Sequence, residues 1–206
     1  MGQEAHCTVR FGDRSAEGKA LLETDDLVFR GDTIRLKISF KQMRSVQARN
    51  GHLHIDVPDG AAVFELGAQA EKWAQKILNP KSLLDKLGLK PGTTVSVLGV
   101  DDEAFLADLR VRTQEVSLGE ARSGSDAVFV AINGPEDLYQ LAALKRAIKP
   151  NGAVWAVFPK GRKDFNENDV LRGGLDAGLV DVKVVRFSDT HAASKFVIRK
   201  AERTGT

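Results

Sequence analysis

Over the first third of the chain, hydrophobic residues recur at every second position, and that period decides what this stretch can form. Ile34, Leu36, Ile38 and Phe40 alternate with Arg35, Lys37 and Ser39, and Leu27, Val28 and Phe29 follow a Thr-Asp-Asp turn. Alternation of this kind buries one face of an antiparallel sheet and leaves the other wet. Asn50-Gly51 separates SVQAR from HLHIDV; a type I′ hairpin turn needs positive φ at both central positions, which this pair tolerates best. Pro58-Asp59-Gly60 turns the chain into AAVFEL. About seven short strands are predicted between residues 6 and 66.

The period lengthens at residue 68. Ala70, Trp73, Ala74 and Ile77 are spaced i, i+3, i+4, i+7, one apolar helical stripe. A barrel of short strands has an open end, and a helix carrying Trp73 can close it. Asn79-Pro80 then marks a boundary, because Pro80 cannot continue the helix and biases Asn79 away from helical angles.

Beyond the boundary the apolar runs become nearly continuous: VSVLG, DAVFVAI, AVWAVF and VKVVRF, with KFVIRK last. KSLLDKLGLKPG precedes them as a short helix stopped by Gly88 and turned by Pro91-Gly92. Helices are predicted around 102–110, 136–148 and 167–178. Continuous apolar strands alternating with amphipathic helices indicate a parallel sheet covered on both faces. The last two strands are joined by a short loop and should be antiparallel.

Composition narrows the function classes. Thirty basic residues against twenty-eight acidic ones leave a formal charge of +2, so nothing requires a nucleic-acid or membrane partner. Cys7 is the only cysteine, which excludes an internal disulfide and a multi-cysteine metal site. MGQEAHCTVR has no apolar core of signal-peptide length, and no run approaches the roughly 18 apolar residues of a membrane span. The expectation is a soluble cytoplasmic protein.

Two resemblances follow from these residues. Several antiparallel strands and a closing helix with a central tryptophan resemble the pleckstrin-homology-like superfold and its GRAM-type branches, most clearly in SVQARNGHLHIDVPDGAAVFELGAQAEKWAQKI. Some members of that superfold hold phosphoinositide head groups with basic residues of the first hairpin. Here Arg10, Arg14 and Lys19 are diluted by Asp13 and Glu17, and a phosphate needs converging donors. The resemblance therefore implies docking of a protein partner. LDKLGLKPGTTVSVLG and LAALKRAIKPNGAVWAVFPKG resemble two stretches of class I S-adenosylmethionine-dependent methyltransferases. Residues 82–200 as a whole, with GLDAGLVDVKVVRF and HAASKFVIRK most telling, resemble an uncharacterised bacterial family carrying an abbreviated domain of that type. That likeness implies a fold and a cytoplasmic location, with no established activity.

The turn after VSVL is the test of a cofactor. Methyltransferases present an acidic residue and two or three glycines there, so that the amino-acid part of the cofactor can lie against bare backbone. This chain has Gly99-Val100-Asp101-Asp102-Glu103. Three carboxylates at a helix start oppose a phosphate, although they suit the cationic sulfonium and ammonium of S-adenosylmethionine. The segment RVRTQEVSLGEARSGSD is too short for a second strand, a helix and a third strand. Glu115 or Glu120 could replace the ribose-binding carboxylate that ends strand two in the family.

Ligands of open α/β sheets sit beyond the carboxyl ends of the strands. The candidate cleft is therefore Gly99, Asp101, Asn133, Lys160 and Arg162, with basic PKGRK facing acidic GVDDE. His52, His54 and Asp56 share one strand face; zinc or nickel accepts such ligands, but the spacing is what the solvated face of a strand shows when Leu53, Ile55 and Val57 point inward, and no metal is expected. Ser188, Asp189, His191 and Ser194 lie in one short segment, which does not suit a triad joining separate elements.

The expected architecture is two domains: an all-β pleckstrin-homology-like barrel with a C-terminal helix over 6–79, then a short Rossmann-like, methyltransferase-like parallel sheet with an antiparallel last strand over 82–201. The expected function is a non-catalytic binding or assembly module with a degenerate site and no cofactor, contacting a protein partner without nucleic acid or stable membrane association. The alternative is an S-adenosylmethionine-dependent methyltransferase using an atypical site.

Overall fold

The computed structural model describes residues 3–203, and the chain divides into two compact units between Lys81 and Ser82. The first holds β1 (Gln3–Phe11), β2 (Arg14–Leu22), β3 (Asp26–Gly31), β4 (Arg35–Ser39), β5 (Ser45–Arg49), β6 (His52–Val57) and β7 (Gly60–Glu65). They form one antiparallel sheet in the order β4-β3-β2-β1-β7-β6-β5. Inward-facing Leu27, Phe29, Ile34, Leu53, Ile55 and Phe64 are fully buried, as their period-two spacing dictates. The Asn50-Gly51 turn has φ of 50° and 78°. Helix α1 (Ala70–Leu78) lays Ala70, Trp73, Ala74 and Ile77 against β5 and β6.

In the second unit α2 (Leu83–Leu87) is capped by Ser82 and stopped by Gly88 at φ 79°. The remaining elements are β8 (Val95–Leu98), α3 (Glu103–Arg112), β9 (Val116–Leu118), β10 (Ser125–Ala131), α4 (Gln140–Leu144), β11 (Ile148–Pro159), α5 (Glu167–Asp176), β12 (Leu179–Arg186) and β13 (His191–Ile198). Their sheet runs β12-β13-β11-β10-β8-β9. β9, β8, β10 and β11 are parallel, and β13 is antiparallel to both of its neighbours. One face buries Val97, Phe129 and Trp155; the other buries Val128, Val154 and Phe196.

This corrects the expected fold class. The protein is mostly β, two sheets with few helices, in place of a barrel followed by a layered Rossmann-like domain. In the first unit β4 and β5 stand at the two ends of the hydrogen-bonded order, so the strands form a sheet with edges and not a closed barrel. In the second, short helices contribute to both faces, Leu84, Phe105 and Leu109 to one and Leu141, Leu144 and Val170 to the other, but among the described residues none of these helices is longer than ten residues. The helix expected at 136–148 breaks into a single 3-10 turn at Pro135–Asp137 and the five residues of α4. Lys149-Pro150-Asn151-Gly152 lies within β11, whose register jumps between the Ser125–Ile148 and Ala127–Ala153 pairs. β9 and β10 are joined by a loop with no crossover helix. Among the described residues no helix is long and apolar enough to cross a membrane.

Candidate active site

The carboxyl end of β8 terminates at Gly99, held at φ 66°, a left-handed conformation that side chains disfavour. A Cβ at this position would meet only the Ala131 Cβ at 3.4 Å, so backbone angle, not crowding, calls for glycine. Val100 is 6% exposed and its side chain joins the core below the turn. Its branched side chain also forms part of the wall of a cavity. Asp102 caps α3, its carboxylate accepting from the Phe105 N–H at 2.9 Å. Asp101 is exposed and makes no hydrogen bond or ion pair among the described residues.

Around this turn lies a cavity of about 370 Å³, lined by Gly99, Asp101, Asn133, Val157, Phe187 and His191 among others. It spans the carboxyl ends of β8, β10 and β11, within the usual size range of small-molecule sites. Asn133 is fixed through its backbone: its N–H donates to Asp137 Oδ2 at 2.8 Å and its carbonyl accepts from Arg162 Nη1 at 2.6 Å.

Three of the five candidate residues thus meet at the cavity, and two do not. Lys160 is spent on the loop before β13, its backbone N–H bonding Thr190 O at 2.8 Å and its Nζ bonding Ser188 O at 2.9 Å. Arg162 pairs with Asp164, which holds the Asp164 carboxyl below the usual range and raises the guanidinium further. Of the expected basic lip, Arg162 is neutralised by Asp164 and Lys160 is turned onto the Ser188 carbonyl, while the carboxylates of Asp101 and Asp102 line the cavity.

Ser188, Thr190 and His191 line the same cavity; in the sequence Ser188 and His191 were weighed only as members of a triad, and Thr190 carried no signal of its own. Pairing of β13 antiparallel to β11 sets His191 opposite Pro159, so the start of one strand shares an end with the finish of another. The signal was present in the short VKVVRFSDTHAASKF hairpin, which forces that juxtaposition. No triad forms: the Ser188 hydroxyl accepts from the His191 N–H at 3.1 Å, and His191 Nδ1 lies 2.8 Å from Thr190 Oγ1. Glu120 follows β9 directly after Gly119, whose N–H bonds Val97 O at 2.9 Å, so it sits at the carboxyl end beside β8. Glu115 sits at the other end of β9 and pairs with Arg122 at 3.8 Å.

In the first unit Arg10 pairs with Glu65 at 3.7 Å and Lys19 with Glu4 at 2.6 Å. His52 Nδ1 lies 2.9 Å from Asn50 O, and Asp56 accepts from Ser45 Oγ at 2.6 Å. Among the described residues no group of three metal-ligating side chains converges.

No family model matches the chain, and no curated protein matches it. Solved structures do. An S-adenosylmethionine-dependent O-methyltransferase from Thermotoga maritima is similar over 95% of this chain and 93% of its own, at 9% identity and a TM-score of 0.45. A SAM-dependent methyltransferase from Aquifex aeolicus covers 55% of this chain and 86% of its own, at 18% identity and a TM-score of 0.44. PigF with SAH covers 51% and 48%, at 15% identity and a TM-score of 0.36. All three fall below a TM-score of 0.5. At that level the likeness assigns this chain no residue roles.

The expectation of a non-catalytic module, of no enzyme and of no cofactor is corrected to this extent: two of the similar structures are SAM-dependent methyltransferases, and the third is PigF with SAH.

Proposed function

We propose that this chain is an S-adenosylmethionine-dependent methyltransferase with an atypical site at the carboxyl ends of β8, β10 and β11. The carrying observation is the pairing of a bare, left-handed Gly99 with an unpartnered Asp101 at the mouth of a cavity walled by Val157 and Phe187. Bare backbone accommodates the amino-acid part of the cofactor, and a free carboxylate favours its cationic groups. Glu120, exposed at the end of β9, has the position to accept from ribose hydroxyls. The cofactor supplies an electrophilic methyl group on a sulfonium; the chain orients it and excludes water with Val157 and Phe187.

Calorimetric titration with S-adenosylmethionine and S-adenosylhomocysteine tests this. Micromolar binding is expected, about −8 kcal/mol. Gly99→Val and Asp101→Lys should each weaken it by about tenfold or more, with Lys19→Ala as an unaffected control. Absence of both heat and thermal stabilisation at millimolar ligand would overturn the proposal.

A further inference from the structure

The amino end of the same six-stranded sheet carries a second cavity, of about 510 Å³. It is bounded by the turn at 87–93, by Asp126, Asn151 and Ala153 near the starts of β10 and β11, and by Trp155 and Lys195. Sheet register lines up one row of side chains on this face. Lys183 on β12 is opposite Lys195 on β13, Lys195 is opposite Trp155 on β11, and Trp155 is opposite Phe129 on β10. Both ammonium groups lie 5.7 Å from the centroid of the Trp155 ring, which stacks on Phe129.

Like charges directly opposite one another on neighbouring strands oppose folding. Lys183 has one partner, the Lys86 carbonyl at 2.6 Å. Lys195 is half-buried and makes no hydrogen bond or salt bridge among the described residues. Burial, and secondarily Lys183, hold its ammonium below the ordinary lysine range. The carboxylate that lines the cavity, Asp126, is already engaged by Lys149 Nζ at 2.7 Å and the Thr94 N–H at 2.9 Å. Lys90 adds a third positive charge at the rim. Lys195 and Lys90 thus line the cavity, Lys183 stands beside it over the same indole, and among the described residues none of the three pairs with a carboxylate.

We propose that this second cavity binds a phosphate group, held by Lys195 and Lys183 on the side of the two ammonium groups away from the Trp155 ring. Charge-assisted bonds from two ammonium groups would remove the repulsion that the register imposes. The cavity is larger than one phosphate ion, so the group can come free or as part of a phosphorylated small molecule.

Trp155 is itself the reporter. The protein has two tryptophans, and the buried Trp73 indole N–H has no hydrogen-bond partner, so Trp73→Phe leaves no polar group orphaned. The full-length Trp73→Phe protein is titrated with inorganic phosphate, then with AMP, at ionic strength held constant with sodium chloride. The expected result is a saturable change in emission, with apparent affinity weakened about tenfold by Lys195→Met and likewise by Lys183→Met. Tighter saturation by AMP identifies the phosphate of a larger molecule; equal or weaker saturation identifies the free ion. A change that never saturates, or one that both methionine variants retain, overturns the proposal. Calorimetry of phosphate binding to the unaltered sequence and to Lys195→Met gives the same comparison should Trp73→Phe fail to fold.

Discussion

Lys195 shows how a single side chain can tie stability to pH. Its ammonium is held below the ordinary lysine value, first by burial and then by Lys183. A lysine whose folded pKa lies below its unfolded one costs stability while both states are protonated. As pH rises through the folded value, the folded state loses the proton first, the unfolded chain binds more protons, and stability increases up to about the ordinary lysine value. Urea midpoints measured across the alkaline range should rise with pH in the natural sequence and flatten in Lys195→Met. Cys7 moves the other way, its thiol pushed up to about 11 by burial and by Glu65, so it stays protonated at neutral pH. Individual site residues were unevenly legible. Gly99, Asp101 and Asn133 could be placed because strand ends are readable from apolar runs. Lys160 and Arg162 could not, because the Ser188 and Asn133 carbonyls that engage them come from elsewhere in the fold, and Asp164 turns back onto Arg162 within its own loop.

Among the elements, α5 is the one whose seating is most exacting. It is capped by Asn166, whose side chain accepts from the Asn168 N–H at 2.9 Å, and it approaches β13 through Gly174. A Cβ at Gly174 would lie 2.1 Å from Cε1 of the fully buried Phe196 ring. Gly174→Ala would gain about 1 kcal/mol of helix propensity, but overpacking a close-packed core costs about 1–3 kcal/mol. The crowding should win, and the urea midpoint of the second unit should fall. Elements were legible where one period governs them. The seven strands of the first unit and α1 follow from spacing alone, whereas β9, three residues long, offers too few positions to show any period. The break in 136–148 reflects Pro135 at a 3-10 start and the early entry of Ile148 into β11. Neither is a property of the apolar spacing.

At the scale of the whole molecule, hydrophobic burial is partitioned. One core gathers around Trp73 and Phe64, and the second sheet has a core on each face. Trp73→Ala removes a fully buried side chain and should cost the first unit about 3–5 kcal/mol. Its calorimetric transition should move to lower temperature while the transition carrying Trp155 stays in place; a single cooperative shift of both would contradict the partition. The six-stranded sheet also remains open at its two margins. β9 is too short to template another strand, but β12 is eight residues long, with Val182 53% and Val184 39% exposed. Open apolar margins invite one copy of a chain to zip onto the next. Here the register of β12 slips between Asp181 and Lys183, and a lysine stands between the two valines. The irregularity and the charge keep that margin from matching itself, so the sheet ends where the chain ends it.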